Sequence, residues 1–390
     1  MPKEKIIRIT TVPISLKTLL KGQLKYMSDY FDIVAVSSDG DEFESMIEEQ
    51  AVRGIRISMT RKITPFRDLL SLIKLIFLFL KEKPLIVHSH TPKAGTLSML
   101  AAFLCRVPVR MHTVAGLPLL ETKGIKRIIL NKVEKYTYKC STKVYPNSKG
   151  LLDIILLNKY CLSNKLKVIG NGSSNGIDTE YFSPTSIPRD IIERNKAIYN
   201  ILPTDFVFVF IGRLVTDKGI NELINAFYNV SQNHNNAKLL LIGMQEITLD
   251  PIKKETLKII NSHPAIINVG YQQDVRPFIL MSHVLTFPSY REGFPNVVMQ
   301  AGALGLPSIV SDINGCNEII SDQVNGLIIP AKNSVALEKA MVEMMINIKK
   351  RRLLSQNARS IIIERYEQKV VWKLIKEEYY KHLIQIGCSL

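Results

Sequence analysis

The sequence predicts an α/β protein made of two doubly wound, Rossmann-like domains that face each other across a cleft. Three observations carry this. Short β-type runs alternate with longer helical ones along most of the chain. The strand-like runs are almost continuously apolar, as parallel strands covered on both faces must be. The rhythm also occurs twice, on either side of the Pro-rich polar stretch "FSPTSIPRDIIERN" at 182–195. A chain of 390 residues has room for two domains of ordinary size.

In the first series "KIIRITTV" reads as a strand, "KGQLKYMSDY" as a helix and "FDIVAVSS" as a strand. A helix follows at 68–81, then the strand "PLIVHSH", a helix from about Ala94 to Leu104 and the strand "VRMHTV". The second series reads "FVFVFIGRL", helix 219–234, "AKLLLIG", helix 251–262, "IINVGY", helix 274–282, "HVLTFPS", helix 296–304 and "SIVSD". We place the first domain at 1–182 and the second at 183–369. The last stretch, "RYEQKVVWKLIKEEYYKHLIQ", reads as a basic amphipathic helix with the single tryptophan, Trp372. As a helix over about 370–390 it either caps the second domain or crosses back to the first.

Composition narrows the partners. Five scattered cysteines, odd in number and never in a C-x-x-C, argue against a disulfide framework and a zinc cluster and fit a reducing cytosol. Net charge is +16. Residues 1–180 hold 28 Lys and Arg against 16 Asp and Glu, so the first half is the basic one. An anionic partner follows: a membrane surface or a phosphorylated substrate ahead of nucleic acid, for which no recognition motif is present. The longest apolar run, "LLSLIKLIFLFL" at 69–80, is too short to span a bilayer. It reads either as a helix packed on a sheet or as one lying in a membrane interface, flanked by Lys62, Arg67, Lys81 and Lys83.

Two stretches carry chemistry. "FVFVFIG" runs into "RLVTDKG", so that Arg213 and Lys218 leave a strand end just before a helix. A planar fork, a mobile point charge and free helix N–H groups suit a diphosphate, although two surface cations near a turn are common. "EGFPN" puts Glu292 in a turn where a helix begins at about Asn296. The carboxylate there either caps the helix or accepts hydrogen bonds from ligand hydroxyls. In the first half, His112 ends a strand beside a Gly-Pro turn and is a candidate site residue, with a buried structural role as the competing reading. His88 and His90 share a strand face but have no accompanying carboxylate in sequence, which argues against a metal site.

Taken in order, "VHSHTPKAG", "RMHTVAG", "VIGNGSSNGIDTEYFSP", "GRLVTDKG" and "REGFPNVVMQAGALGLPSIVSDINGCNEII" resemble glycosyltransferase family 4, retaining enzymes of GT-B fold, over nearly the whole chain. The resemblance implies roles. Arg213 and Lys218, behind Gly212, would hold the donor diphosphate, and Gly22 would lie near the phosphates. Glu292 with Gly293, Phe294, Pro295 and Asn296 would bind the transferred sugar. Gly270 and Tyr271 would flank the base, and His112 would sit at the reaction centre. The family motif carries a second Glu eight positions after the first. Here that position is Gln300, an uncharged and weaker acceptor for the nucleotide ribose.

The resemblance further implies a UDP-sugar donor, no cofactor and no metal, since the two cations do that electrostatic work. It implies an acceptor saccharide on polyprenyl diphosphate and a role in capsule, O-antigen or exopolysaccharide synthesis. The protein would be cytoplasmic and peripheral on the anionic inner membrane surface, with the basic segment 123–143 as its densest cationic stretch, and it would bind no nucleic acid. A nucleotide-sugar 2-epimerase and a non-catalytic glycan-binding subunit are the alternative readings.

Overall fold

The computed structural model describes residues 3–117, 119, 122–246 and 250–388. The chain forms two compact units, one made of Met1–Gly176 with Gln368–Leu390 and the other of Ile177–Glu367.

The first unit holds six parallel strands: β1 (Lys5–Ile9), β2 (Asp32–Ser37), β3 (Arg53–Arg56), β4 (Ile86–Ser89), β5 (Val109–Val114) and β6 (Lys143–Pro146). Their spatial order is β3-β2-β1-β4-β5-β6. Ile7 lies opposite Val34 on one side, and Arg8 lies opposite His88 on the other. The helices are α1 (Pro13–Leu19), α2 (Gln23–Ser28), α3 (Glu42–Gln50), α4 (Pro65–Glu82), α5 (Pro92–Leu104), α6 (Gly124–Cys140) and α7 (Lys149–Leu157). Parallel pairing demands these crossovers, and their apolar faces cover both sides of the sheet. α4 and α5 bury Leu75, Leu78, Phe79, Leu97 and Met99 on one side.

The second unit opens with α8 (Arg189–Ile198) and continues with β7 (Phe206–Ile211), α9 (Ile220–Asn233), β8 (Ala237–Ile242), α10 (Lys254–Ser262), β9 (Ile266–Gly270) and α11 (Arg276–Leu280). It closes with β10 (Val284–Phe287), α12 (Asn296–Ala303), β11 (Ser308–Ser311), α13 (Cys316–Ile319), β12 (Gly326–Ile329), α14 (Ser334–Ile346) and α15 (Ile348–Tyr366). The strand order is β12-β11-β10-β7-β8-β9. Phe208 pairs with Leu239 on one side and Val284 on the other, at the centre of one continuous core.

Two expectations are corrected. The last stretch is two helices, because Glu367 turns extended (φ −53°, ψ 132°) after α15. Ile177 bridges to Glu367, and the Glu367 carboxylate accepts from the Thr179 amide at 3.3 Å and from its hydroxyl. The seam therefore falls at Gly176/Ile177 and Glu367/Gln368 rather than at 182/183 and 369, and Phe182 packs on the core of the second unit. The helix α16 (Gln368–Gln385) belongs to the first unit. Residues 389–390 of the expected helix lie outside the described residues. α16 buries Val371, Trp372, Ile375, Tyr379 and Leu383 on the sheet face opposite α4 and α5. Each such apolar side chain is worth roughly 1.5–3 kcal/mol when fully buried.

Candidate functional site

In an open doubly wound sheet, ligands bind beyond the strand ends where the order reverses. In the second unit that point lies between β7 and β10. The loop after β7 carries Gly212, Arg213 and Lys218, and the loop after β10 carries Tyr290, Arg291 and Glu292. The fold thus brings together the two stretches singled out in the sequence.

The two loops are joined residue by residue. The Tyr290 amide donates to the Asp217 carbonyl at 2.8 Å, and the Ser289 hydroxyl donates to the same oxygen at 3.3 Å. Arg291 and Asp217 form an ion pair at 2.6 Å, and Lys218 and Glu292 form another beside it. Both members of the second pair are largely buried yet still reach solvent, with side chains 17% and 15% exposed. Gly219 permits this approach: it has φ +71°, and a Cβ there would lie 2.1 Å from the Pro288 carbonyl oxygen. Arg213 projects into solvent. Burial raises the Asp217 carboxyl above its usual range, with Lys218 opposing that effect.

The Glu292 turn is braced from behind. Asn314 donates its side-chain amide to the Glu292 carbonyl. A Cβ on Gly315 would meet the Gly293 carbonyl oxygen at 2.5 Å, so these two turns touch backbone to backbone. Phe294 is buried against Tyr366, with ring centroids 5.3 Å apart, and Pro295 is buried next to it. Asn296 is exposed at the first position of α12, and Gln300 lies half-buried one turn later. Glu318, the next carboxylate along the chain, accepts from the Gly315 amide at the start of α13. Gly270 ends β9 and Tyr271 is 65% exposed. β9 lies two strands from β7, roughly 10 Å away. Sequence reasoning missed Asp217, Asn314 and Tyr290. Only the D in "TDKG" carried a local signal, because the other two act through contacts made by the fold.

The candidates of the first unit sit in a different environment. His112 is 3% exposed, with Nδ1 2.8 Å from the Ser89 hydroxyl. Its ring lies against Gly95 of α5, where a Cβ would come within 2.3 Å. Burial lowers its pKa to about 4, so it is neutral at physiological pH. Gly22 begins α2 with φ +75° and lies under Trp372, whose Cη2 would be 2.6 Å from a Cβ there. The Trp372 indole donates to Asn175 Oδ1 at 2.7 Å. His88 pairs with Tyr379 at 2.7 Å and Thr113 at 2.8 Å, and His90 accepts from Arg8 Nε at 3.0 Å. Burial, with Arg8 nearby, keeps both rings well below the usual histidine range. Among the described residues no group of three His, Cys, Asp or Glu side chains is placed to hold a metal ion.

Comparison with known proteins agrees with this architecture. Residues 191–361 match the family described as glycosyl transferases group 1, and residues 27–172 match a glycosyl transferase 4-like domain. The capsular polysaccharide biosynthesis glycosyltransferase CapM of Staphylococcus aureus is 33% identical over 383 residues, covering 97% of each chain. The UDP-Gal:alpha-D-GlcNAc-diphosphoundecaprenol alpha-1,3-galactosyltransferase of Escherichia coli is 27% identical over 339 residues, covering 86% of this chain and 85% of that one. Among solved structures, Anabaena HepE in complex with UDP superposes with a TM-score of 0.80 at 16% identity, covering 97% of this chain and all of that one. That likeness concerns the fold, which is GT-B. With the strand order, the joined loops and these matches together, the chain belongs to glycosyltransferase family 4 and is a transferase.

Proposed function

We propose that this protein transfers a sugar from a UDP-sugar to a lipid-linked saccharide, with the donor's α configuration retained, in the synthesis of a surface polysaccharide. The observation that carries this reading is the joining of the β7 and β10 loops, which sets Arg213, Lys218 and Glu292 at one strand-end reversal.

In this reading Arg213 and Lys218 hold the diphosphate and stabilise the charge that grows on the leaving UDP. Glu292 and the N–H groups of Gly293 to Asn296 take hydroxyls of the sugar. The Lys218–Glu292 pair keeps each charge partnered until a ligand arrives with phosphate for one and hydroxyls for the other. Gly212 leads into the diphosphate loop. Gly270 and Tyr271 flank the base, and Gln300 accepts from the ribose. His112, held neutral by burial, contributes a hydrogen-bonding nitrogen and not a charge. The two cations supply the electrostatic work, so no metal or cofactor is needed.

The way the nearby carboxylates are used supports retention. Glu292 is engaged with Lys218, and Glu318 caps α13. Inversion needs a general base on the face opposite the leaving group. A front-face route needs none: the departing phosphate oxygen takes the acceptor proton as the new glycosidic bond forms on the same face. The names of the relatives, one acting in capsule synthesis and one on a diphosphoundecaprenol-linked sugar, support a polyprenyl-diphosphate acceptor. Such a lipid places the enzyme at the anionic inner membrane surface, and the excess of Lys and Arg in residues 1–180 suits that surface.

The test is the product's anomeric coupling by NMR, using an α-linked UDP-sugar and a short-chain lipid-diphosphate saccharide, with and without a chelator. An α-linked product formed at full rate in the chelator is expected. A β-linked product, or a strict need for divalent metal, would overturn the mechanism.

A further inference from the structure

The helix α4 carries two apolar stripes, and only one of them is used by the fold. At about 100° per residue, Ser71, Leu75, Leu78 and Phe79 fall on one side and are buried. Phe66, Leu69, Leu70, Ile73, Phe77 and Leu80 recur at spacings of one, three and four residues on the opposite side, and all six are exposed. Phe66 is 82% exposed and Phe77 is 69% exposed. The helix has 18 residues, and the stripe from Phe66 to Leu80 runs along about 21 Å of it. Arg67, Lys74 and Lys81 are exposed along its border. α5 packs between α4 and α6. α6 shows the same pattern: Ile125, Ile128, Ile129 and Tyr136 are exposed, interleaved with exposed Lys126, Lys132 and Lys135.

A soluble surface rarely keeps so continuous an apolar rail, and a packed core would not border it with cations. Among the described residues, no helix is long and apolar enough to cross a membrane. We infer that the outward stripe of α4, with the exposed face of α6, inserts into the interfacial layer of an anionic lipid bilayer, its lysines and arginines meeting the headgroups. Apolar area supplies hold that salt does not screen, and the cations select the anionic leaflet. This deepens the proposed function, on which it rests for its biological setting. It departs from a purely electrostatic attraction in one measurable way: binding should survive high salt.

The experiment is vesicle flotation of the full-length protein. Vesicles of phosphatidylcholine alone are compared with vesicles containing phosphatidylglycerol, at low and high salt. Wild-type protein should float with anionic vesicles and remain largely bound at high salt. The triple variant Phe66→Gln, Ile73→Gln, Phe77→Gln should lose at least tenfold in partitioning at both salt levels. Lys126→Glu with Lys132→Glu should weaken binding mainly at low salt. A UDP-induced thermal shift equal to wild type would show that the variants are folded. Unchanged flotation of the triple variant would overturn the inference. So would a concentration-dependent dimer that the triple variant makes monomeric, with no vesicle binding by either protein, because a second copy would then cover the stripe. Transfer to a water-soluble acceptor analogue separates the two proposals. If it fails in wild type while flotation behaves as expected, the enzymatic reading falls and the membrane face stands.

Discussion

The two units reverse their strand order in the same way and use the reversal in opposite ways. In the second, the loops after β7 and β10 hold charged side chains that still reach solvent, in pairs a ligand can take over. In the first, the corresponding strands β1 and β4 direct Arg8, His88 and His90 into a fully buried cluster under α2 and α16. Arg8 donates to Gln23, and Gln23 in turn donates to the Ser174 carbonyl at 3.1 Å and to Asn175 Oδ1 at 2.9 Å. These bonds tie the segment before the seam into its own unit, while Arg8 Nη1 and His90 Nδ1 stay buried without a hydrogen-bond partner among the described residues. Topology offers a site at each reversal, and what packs over it decides whether the site stays open.

The sharpest way to break this contrast is at the open end. Lys218→Ala and Arg213→Ala should each lower turnover at least ~10²-fold, the scale of losing one preorganised charge donor. Melting temperature should change little in Arg213→Ala, because Arg213 is exposed, and should fall measurably in Lys218→Ala, because the largely buried Glu292 loses its partner. Near-wild-type rates in either variant would remove the clamp and leave the two ends equally structural.

The buried histidines of the first unit should reveal themselves through pH. The folded-state pKa of His112, about 4, lies below its ordinary 6.5, so the unfolded chain binds more protons between those values. Its contribution to stability is complete above pH 6.5 and is lost as pH falls toward 4. Between pH 7 and 5 the loss is about 2 kcal/mol for this one ring. His88 and His90 are shifted in the same direction and add to it. Denaturant midpoints at the two pH values give the slope, and an NMR titration of the His112 ring should show it neutral at pH 5. A midpoint that does not move would mean these rings are hydrated in solution.

A smaller effect sharpens the picture of the open end. If Gln300 faces the ribose, Gln300→Leu should weaken UDP binding by roughly 1–3 kcal/mol, leaving a hydroxyl without its acceptor. Gln300→Glu should be tolerated and should tighten UDP a few-fold. Calorimetry with UDP decides, and an unchanged affinity in the leucine variant would mean that the side chain serves packing on α12.

Much of the fold was legible in local pattern. Parallel strands buried on both faces must be apolar throughout, so β1, β2, β7, β8 and β10 could be read directly, and the spacing of Arg213, Lys218 and Glu292 came with them. Less periodic elements were not legible. β3 is four residues with no alternation, and α6 was seen as a basic stretch because its exposed lysines outnumber its buried side chains. The destination of α16 was left open, because an amphipathic helix states that it has an apolar face and not which sheet the face meets. That face turned out to complete the core of the first unit. The use of α4's two stripes was undetermined for a related reason: "LLSLIKLIFLFL" is apolar around most of its circumference, and only packing against α5 shows which side remains outside. Residue type and spacing are properties of the chain, and they set which chemistry and which elements are available. Burial, the partner of each charge and the side left bare arise from contacts between residues far apart in sequence, as between Lys218 and Glu292 or Gly95 and His112, and these exist only once the chain has folded.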